Sequence, residues 1–200
     1  MTIAVIAGDD QYQELTKDIN DINWKRISSF DETLPGLDAY VILNQLNITG
    51  FKNVTKPILL NSVITTLKEI SAPANVIRIN GWKSFLNRKQ WDIAGVISKE
   101  AAAIFTVMGK EFLLVSDTPG LAAARLIAMI INEAYFALEQ NVSTKSEIDT
   151  AMKLGTNYPF GPFEWATIIG LRHIYDLLHL LSVTDKRYTP SPLLKKEAAL

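Results

Sequence analysis

Cysteine is absent from the 200-residue chain, and histidine occurs only twice. Without cysteine there are no disulfide scaffolds, thiolate zinc sites or cysteine nucleophiles, and two histidines are too few for a multi-histidine metal site. We therefore expect no bound metal. An excess of one charge is also missing, since 20 Lys and Arg face 21 Asp and Glu. A protein that binds nucleic acid or an anionic membrane surface would carry a basic excess, so we expect neither partner.

Long apolar runs are missing as well. The most apolar stretch, residues 121–131, is interrupted by Arg125 and is too short to span a bilayer. The first residues lack the charged start of a signal peptide, so a soluble cytoplasmic protein is expected. With 48% hydrophobic and 20% charged residues, the chain can bury a core, and its length suits one large domain or two small ones.

The pattern of the chain changes near Asp117. Before it, short β-rich runs predict buried strands at residues 2–7, 25–30, 39–44, 57–61, 75–79 and 111–115. Helices are predicted between them at residues 62–71 and 99–108. Strands that alternate with helices favour an α/β layer with parallel strands.

After Asp117 the signals are helical. A helix is predicted from Asp117 or Thr118, with Pro119 in its first turn, to about Gln140. Thr144-Lys145-Ser146-Glu147 is a capping box that opens a second helix. Further helices are predicted to begin at Gly161-Pro162, after the break at Gly170, and after Pro190-Ser191-Pro192.

The second half resembles the C-terminal domain of the 3-hydroxyacyl-CoA dehydrogenases. The resemblance is carried, in order, by Asp117-Thr118-Pro119-Gly120-Leu121, Asn132-Glu133-Ala134, Ile148-Asp149-Thr150-Ala151-Met152-Lys153-Leu154-Gly155, Tyr158-Pro159-Phe160-Gly161-Pro162-Phe163-Glu164 and Tyr188-Thr189-Pro190-Ser191-Pro192-Leu193-Leu194. These motifs cover nearly all of residues 117–200. The resemblance implies a reduced Rossmann-like parallel-sheet domain at residues 1–116, followed by a helical dimerisation domain at residues 117–200. It also implies a place in fatty-acid metabolism and a homodimer.

The first half resembles the dinucleotide-binding domain of this family only weakly. The strand at residues 2–7 and the Asn61-Ser62 segment lie where the family has its first strand and a substrate-contacting region. The loop at residues 31–38 and the connection at residues 45–56 are shorter than in the family.

Dinucleotide binding needs glycines after the first strand, because the backbone must approach the pyrophosphate at a helix N-terminus. Here the strand runs into Ala7-Gly8-Asp9-Asp10-Gln11-Tyr12, so the family's three glycines become Ala7, Asp9 and Tyr12. Two carboxylates beside a pyrophosphate are unfavourable, and Tyr12 would crowd the helix start. We therefore expect no NAD binding. Asp31 follows the second predicted strand, at the spacing where a dinucleotide-binding domain has an acid that binds the ribose. A surface or helix-capping acid is the commoner interpretation of such a position.

The family's catalytic residues are also replaced. In the family a histidine transfers the hydroxyl proton and a glutamate orients it. Lys83 stands where the resemblance places the histidine, and the glutamate would fall near Ala94 or Gly95. The asparagine that follows Pro-Gly in the family becomes Ala124, just before Arg125. The resemblance therefore predicts no catalytic residue, and a candidate ligand pocket formed by Asn61, Ser62, Lys83 and Arg125.

Other chemistry-bearing side chains have a structural interpretation that fits better. We expect His173 to face solvent and His179 to lie beside the apolar stripe of its helix. Lys83 would be a base only if burial lowered its pKa, and an exposed lysine is the simpler interpretation. Trp82 and Trp91 are expected in the core.

Two charged features have a similar interpretation. Lys83, Arg88 and Lys89 form a basic cluster that could meet coenzyme A phosphates, although a solvated loop is commoner. Glu164 is expected to complement a helix N-terminus.

Three functions remain open. The first is a degenerate family member that has lost NAD binding and catalysis, a pseudoenzyme that binds an acyl-CoA-type ligand or assembles with a partner. The second is an active NAD-dependent dehydrogenase that uses Lys83 or Ser62. The third is a purely structural homodimer module.

Overall fold

A computed structural model describes residues 1–29, 35–44 and 53–199. The chain divides into two compact units, Met1–Leu121 and Ala122–Leu200. The change in pattern predicted at Asp117 lies close to this division. Asp31 and parts of the two shortened connections, at residues 31–38 and 45–56, lie outside the described residues.

The first unit is an α/β sheet of seven strands. In chain order they are β1 (Thr2–Ile6), β2 (Asn23–Arg26), β3 (Ala39–Ile42), β4 (Ile58–Asn61), β5 (Val76–Ile79), β6 (Gln90–Ala94) and β7 (Glu111–Leu114). Their spatial order is β2-β1-β3-β4-β5-β6-β7. Helix α1 (Asp9–Thr16) connects β1 to β2, and α2 (Lys99–Val107) connects β6 to β7.

The sheet is parallel except at one place. Strands β5 and β6 pair antiparallel, with Ile79 opposite Ile93. Strand β6 was not predicted, because its run begins with the polar Gln90 and includes Asp92. The alternation of Trp91 and Ile93, which are both buried, is the signal that could have found it.

The central strands are buried on both faces, as expected for a parallel sheet. One face carries Ile3, Val5 and Val41 and packs on Leu15 of α1 and on Ile104 and Phe105 of α2. The other face carries Ala4, Ile6, Ile42 and Leu60 and packs on Ile27, Leu37, Leu67 and Ile70. The sheet therefore holds the core of this unit, and its strand ends are free to carry function.

The helix predicted at residues 62–71 is wrong, because this segment forms successive turns. An α-helix would use the carbonyls of its first residues for internal bonds. Here Arg78 takes the carbonyls of Ser62 and Val63, and Gly120 N also donates to Val63 O, at 2.7 Å. Tertiary bonds thus replace the local helix.

The second unit is helical. Its helices are α3 (Ala123–Glu139), α4 (Lys145–Thr156), α5 (Pro162–Ile169), α6 (Leu171–Ser182) and α7 (Pro192–Ala198). Helix α3 packs against α5, α6 and α7, and α4 packs against α5. The capping box at Thr144 and Glu147 is confirmed, as are the start at Pro162 and the break at Gly170.

The first of these helices begins later than predicted. Gly120 and Leu121 have φ angles of 82° and 49°, which lie in the left-handed region and cannot belong to a right-handed helix. Residues 118–121 therefore form a turn, and α3 starts at Ala123.

Two buried polar side chains organise the helical unit. Asn132 of α3 donates to Thr189 O at 2.9 Å and accepts from Ser191 N at 2.8 Å, which holds the segment before α7. Asp149 of α4 accepts from the Phe163 and Glu164 amides at 2.8 and 3.2 Å, which caps α5.

Candidate functional site

The carboxyl ends of β1, β4 and β5 lie at the edge of the sheet where open α/β folds bind ligands. Strand β1 has β2 on one side and β3 on the other, so the strand order changes direction there. Ligands of such sheets bind in the crevice at this point. Three segments leave the sheet at this edge: residues 7–8 into α1, residues 61–62 after β4, and residues 80–81 after β5.

The two acidic residues at the start of α1 are both ion-paired. Asp9 Oδ1 lies 2.6 Å from Arg26 Nη1, and Asp10 Oδ2 lies 2.6 Å from Lys83 Nζ. The hydrogen bond and positive charge of Lys83 lower the pKa of Asp10 below its ordinary value. The helix N-terminus that would face a pyrophosphate in a dinucleotide-binding protein therefore carries carboxylates with their own counter-ions.

Arg26 is further engaged beside this helix. Its Nη2 donates to Ala7 O at 3.0 Å, and its guanidinium lies 5.4 Å from the ring centroid of Tyr12. Ala7, Asp9 and Tyr12, which the resemblance places at the family's three glycines, are thus joined by one arginine at the end of β2. Gly8 is the residue that precedes the first turn of α1.

The segment at residues 81–87 is held against α1 by polar side chains. Gln11 Nε2 donates to Gly81 O at 2.9 Å. The carboxylate of Glu14 accepts from the amides of Ser84, Leu86 and Asn87 at 3.0, 2.9 and 3.2 Å. Together with the Lys83–Asp10 pair, these bonds hold residues 81–87 against α1. The resemblance expects the catalytic residues in this segment and the cofactor at the start of α1.

Asn61 joins three segments at this edge. Its Nδ2 donates to Leu43 O at 2.8 Å, and its Oδ1 accepts from Gly81 N at 2.9 Å. A Cβ at Gly81 would lie 2.6 Å from Asn61 Cγ, so only glycine fits against this side chain. The neighbouring Ser62 is buried and donates to Thr65 O at 2.6 Å.

The four residues of the predicted ligand pocket are divided between the units. Asn61 contacts the segment that carries Lys83, and Ser62 follows Asn61 directly. The side chain of Lys83 is 48% exposed, as the simpler interpretation expected. Arg125 belongs to the helical unit, where its guanidinium lies 5.8 Å from the ring centroid of Tyr188. Ala124 precedes it and is fully buried in α3.

Two buried polar residues of β5 and its end were missed in the sequence. Arg78 is fully buried and donates to Val63 O and Thr118 O at 2.8 and 2.9 Å, to Ser62 O, and to Asp117 Oδ1 at 2.6 Å. Burial lowers the pKa of Arg78, and Asp117 opposes this shift. An arginine inside the apolar run Val76–Ile79 is the signal that could have found it.

Asn80, the second missed residue, follows Arg78 and Ile79 at the carboxyl end of β5. It is 5% exposed, and its Oδ1 accepts from Trp82 N at 3.1 Å. Its Nδ2 has no partner among the described residues. A buried amide donor without a partner lowers the stability of the fold, and a ligand oxygen that accepted this bond would remove that cost.

A cavity of about 560 Å³ lies at the carboxyl ends of β1, β2 and β3. The described residues that line it are Ile6, Ala7, Arg26, Ile27, Ser28 and Asn44. It lies where the strand order changes direction, and its described lining combines apolar side chains with Arg26, Ser28 and Asn44.

The other candidate residues have structural roles. His173 and His179 are exposed, and His179 stacks on Tyr175 at 5.5 Å between ring centroids. Trp82 and Trp91 are buried, as predicted.

The acid of the Pro-Phe-Glu run has the expected role. Glu164 accepts from Gly161 N at 2.8 Å at the start of α5 and pairs with Lys153 at 2.5 Å. Within the described ranges, no group of three potential metal ligands is found, and no helix is long and apolar enough to cross a membrane.

Comparison with known proteins identifies the helical part of the chain. Residues 120–199 match the family model of the 3-hydroxyacyl-CoA dehydrogenase C-terminal domain. Residues 120–199 therefore belong to this domain family. The family resemblance found in the sequence is thereby confirmed.

Individual relatives agree with this assignment. The chain is 41% identical over 105 residues to 3-hydroxyadipyl-CoA dehydrogenase of Escherichia coli (strain K12), which covers 52% of the chain and 22% of that protein. It is 35% identical over 111 residues to a probable 3-hydroxybutyryl-CoA dehydrogenase of Bacillus subtilis (strain 168), which covers 52% of the chain and 39% of that protein. The chain thus spans well under half the length of these relatives.

The fold of the whole chain also has a counterpart. The structure of (S)-3-hydroxybutyryl-CoA dehydrogenase from Ralstonia eutropha has a TM-score of 0.75 at 17% identity, and the match covers 99% of this chain and 93% of that one. A Rossmann-like domain followed by a helical domain, as predicted, is therefore confirmed.

Proposed function

We propose that this chain is a 3-hydroxyacyl-CoA dehydrogenase-like pseudoenzyme of the cytoplasm that binds an acyl-CoA-type ligand or assembles with a partner and does not bind NAD. The observation that carries the proposal is the acidic start of α1. Asp9 and Asp10 stand where a dinucleotide-binding helix presents glycine backbone to a pyrophosphate, and both are paired with cations of the chain itself.

The loss of catalysis follows from the neighbouring segment. Lys83 is half exposed, and its ammonium is engaged by the carboxylate of Asp10. Ala124 has no side-chain amide with which to polarise a substrate. The bonds of Gln11 and Glu14 to residues 81–87 close α1 onto this segment.

A ligand site is supported at the same edge of the sheet. The cavity of about 560 Å³ at the ends of β1, β2 and β3 has the size of a small-molecule site, and Arg26 is one of its lining residues. Asn80 Nδ2 supplies a buried donor without a partner among the described residues. An acyl-CoA offers a carbonyl, an apolar chain and phosphates to such groups.

The first test is a thermal-shift titration with NADH and, separately, with acetoacetyl-CoA. A ligand at about 100 times its Kd adds roughly 2.7 kcal/mol to stability, which shifts the midpoint by several degrees. We expect a shift with acetoacetyl-CoA and none with NADH. A shift with NADH, together with NADH oxidation proportional to protein concentration, would contradict the proposal.

The active dehydrogenase is the second candidate, and the relatives named above favour it. In that case turnover depends on the relocated groups, so Lys83→Ala must abolish it. Lys89→Ala is the matched control, because it removes a lysine of the same loop that pairs with Glu111 on the protein surface. Equal turnover in both variants would exclude Lys83 as the base.

A homodimer through the helical unit is part of the proposal. Leu126, Leu154 and Val183 of this unit are 61%, 83% and 70% exposed, and burying such apolar side chains between two copies would favour association. Sedimentation equilibrium is expected to show a dimer. A dimer that responds to neither ligand would favour a purely structural module.

A further inference from the structure

The turn at residues 84–87 binds a carboxylate with its backbone. The amides of Ser84, Leu86 and Asn87 converge on Glu14 at 3.0, 2.9 and 3.2 Å. Ser84 has a φ of 74°, in the left-handed region, which turns successive amides toward one side of the chain. Such a concave arrangement of amides binds the oxyanions of carboxylates and phosphates alike.

Positive charge surrounds this turn. Lys110 Nζ donates to Leu86 O and Arg88 O at 2.8 and 2.9 Å, so its ammonium is fixed beside the turn. Burial lowers the pKa of Lys110, and the negative charge of Glu14 opposes that shift. Lys83 precedes the turn, and Arg88 follows it with its guanidinium 4.1 Å from the ring centroid of Phe85.

The turn also contains a polar group that Glu14 does not use. Ser84 Oγ is buried, and it has no hydrogen-bond partner among the described residues. A carboxylate has two oxygens, and those of Glu14 are already shared among three amides. A phosphate group has one more oxygen to offer to a fourth donor.

The helix that supplies Glu14 is held to residues 81–87 by polar contacts. Helix α1 has eight residues, and Leu15 is its one fully buried side chain. Isolated helices of this length are marginal, so α1 depends on its tertiary contacts. Asp10, Gln11 and Glu14 make polar bonds to residues 81–87, and water or a ligand can replace such bonds.

We propose that the turn at residues 84–87 is an oxyanion-binding site that Glu14 occupies in competition with a phosphate-bearing ligand. The ligand is a phosphomonoester or a diphosphate, whose oxygens take the three amides and Ser84 Oγ and release Glu14. The proposal does not depend on which ligand fills the cavity at β1–β3, since the two sites use different residues.

The test is a titration of the full chain with inorganic phosphate and, separately, with pyrophosphate. Binding is monitored through the backbone amide signals by NMR at constant ionic strength, and potassium chloride serves as the control salt. In the natural protein, the amide signals of Ser84, Leu86 and Asn87 are expected to shift and saturate. Glu14→Gln removes the competing charge, so binding of pyrophosphate should tighten at least tenfold. Glu100→Gln removes a carboxylate from α2, remote in sequence from the turn, and should leave the affinity unchanged.

Two results would overturn the proposal. One is the absence of saturable shifts at these three amides in both the natural protein and Glu14→Gln. The other is binding by the variant alone, which would make Glu14 a permanent structural cap. Glu14→Asp, which is too short to span the same bonds, serves as the second variant if Glu14→Gln fails to fold.

Discussion

Removal of Arg78 tests whether one buried cation holds the β4–β5 side of the α/β unit together. The side chain is 0% exposed and donates to the carbonyls of Ser62, Val63 and Thr118 and to the carboxylate of Asp117. Arg78→Met keeps an unbranched apolar stem, although a shorter one, and removes all of these donors.

The expected loss follows from the groups left behind. A buried acceptor without a partner costs about 1–3 kcal/mol, and such costs do not add fully in one network. Asp117 is 27% exposed and also accepts from Lys68 N, so it can hydrate. Val63 O keeps the bond from Gly120 N, whereas the carbonyl of the buried Ser62 loses the bond from Arg78 and cannot hydrate as easily. We therefore expect about 3–5 kcal/mol, the range for breaking a buried ion pair by removing one partner.

Hydrogen exchange of the β4 and β5 amides measures this loss within the α/β unit. Arg172→Met is the control, because Arg172 forms an exposed pair with Asp176 one helical turn away, and it should cost no more than about 0.5 kcal/mol. A loss below about 1 kcal/mol for Arg78→Met would show that water replaces the arginine, and would refute the reasoning from burial.

Three further predictions concern single contacts. Thr144→Ala should cost the helical unit about 1 kcal/mol in urea unfolding, because it removes the cap of α4, whereas Ser146→Ala beside it should be nearly neutral. Hydrogen bonds from Ser143 and Thr144 lower the pKa of Glu147 to about 2. The stability that ionised Glu147 contributes is therefore complete above its unfolded pKa of about 4.5 and is lost as the pH falls toward 2. The difference in unfolding free energy between the natural protein and Glu147→Gln should vanish over that pH range. Gly161→Ala would press a Cβ into the side chain of Asp149, and should destabilise the helical unit by about 1–3 kcal/mol, whereas Gly155→Ala, which meets nothing, should not.

Some of the site was predictable from single residues. The ion-paired carboxylates at the start of α1 are visible in the sequence as Asp9 and Asp10, and the prediction that no NAD binds rests on them and on Tyr12. The exposed state of Lys83 and the burial of Trp82 and Trp91 followed from residue type alone. The helix caps at Thr144 and Pro162 were also local, since a cap depends on residues three apart in the chain.

Other features were decided by contacts between distant residues. Glu14 lies 70 or more positions from the amides it binds, and Arg78 lies about 40 from Asp117 and Thr118, so no local pattern announces either network. The bonds of Arg78 to the carbonyls of Ser62 and Val63 also explain why the helix predicted at residues 62–71 does not form. The sequence by itself determined the likeness of the helical unit to the 3-hydroxyacyl-CoA dehydrogenase C-terminal domain and the change from strands to helices near Asp117, because those depend on motifs, periodicity and residue type. Only the tertiary structure decided which carboxylates meet which donors, because folding brings distant segments to one edge of the sheet.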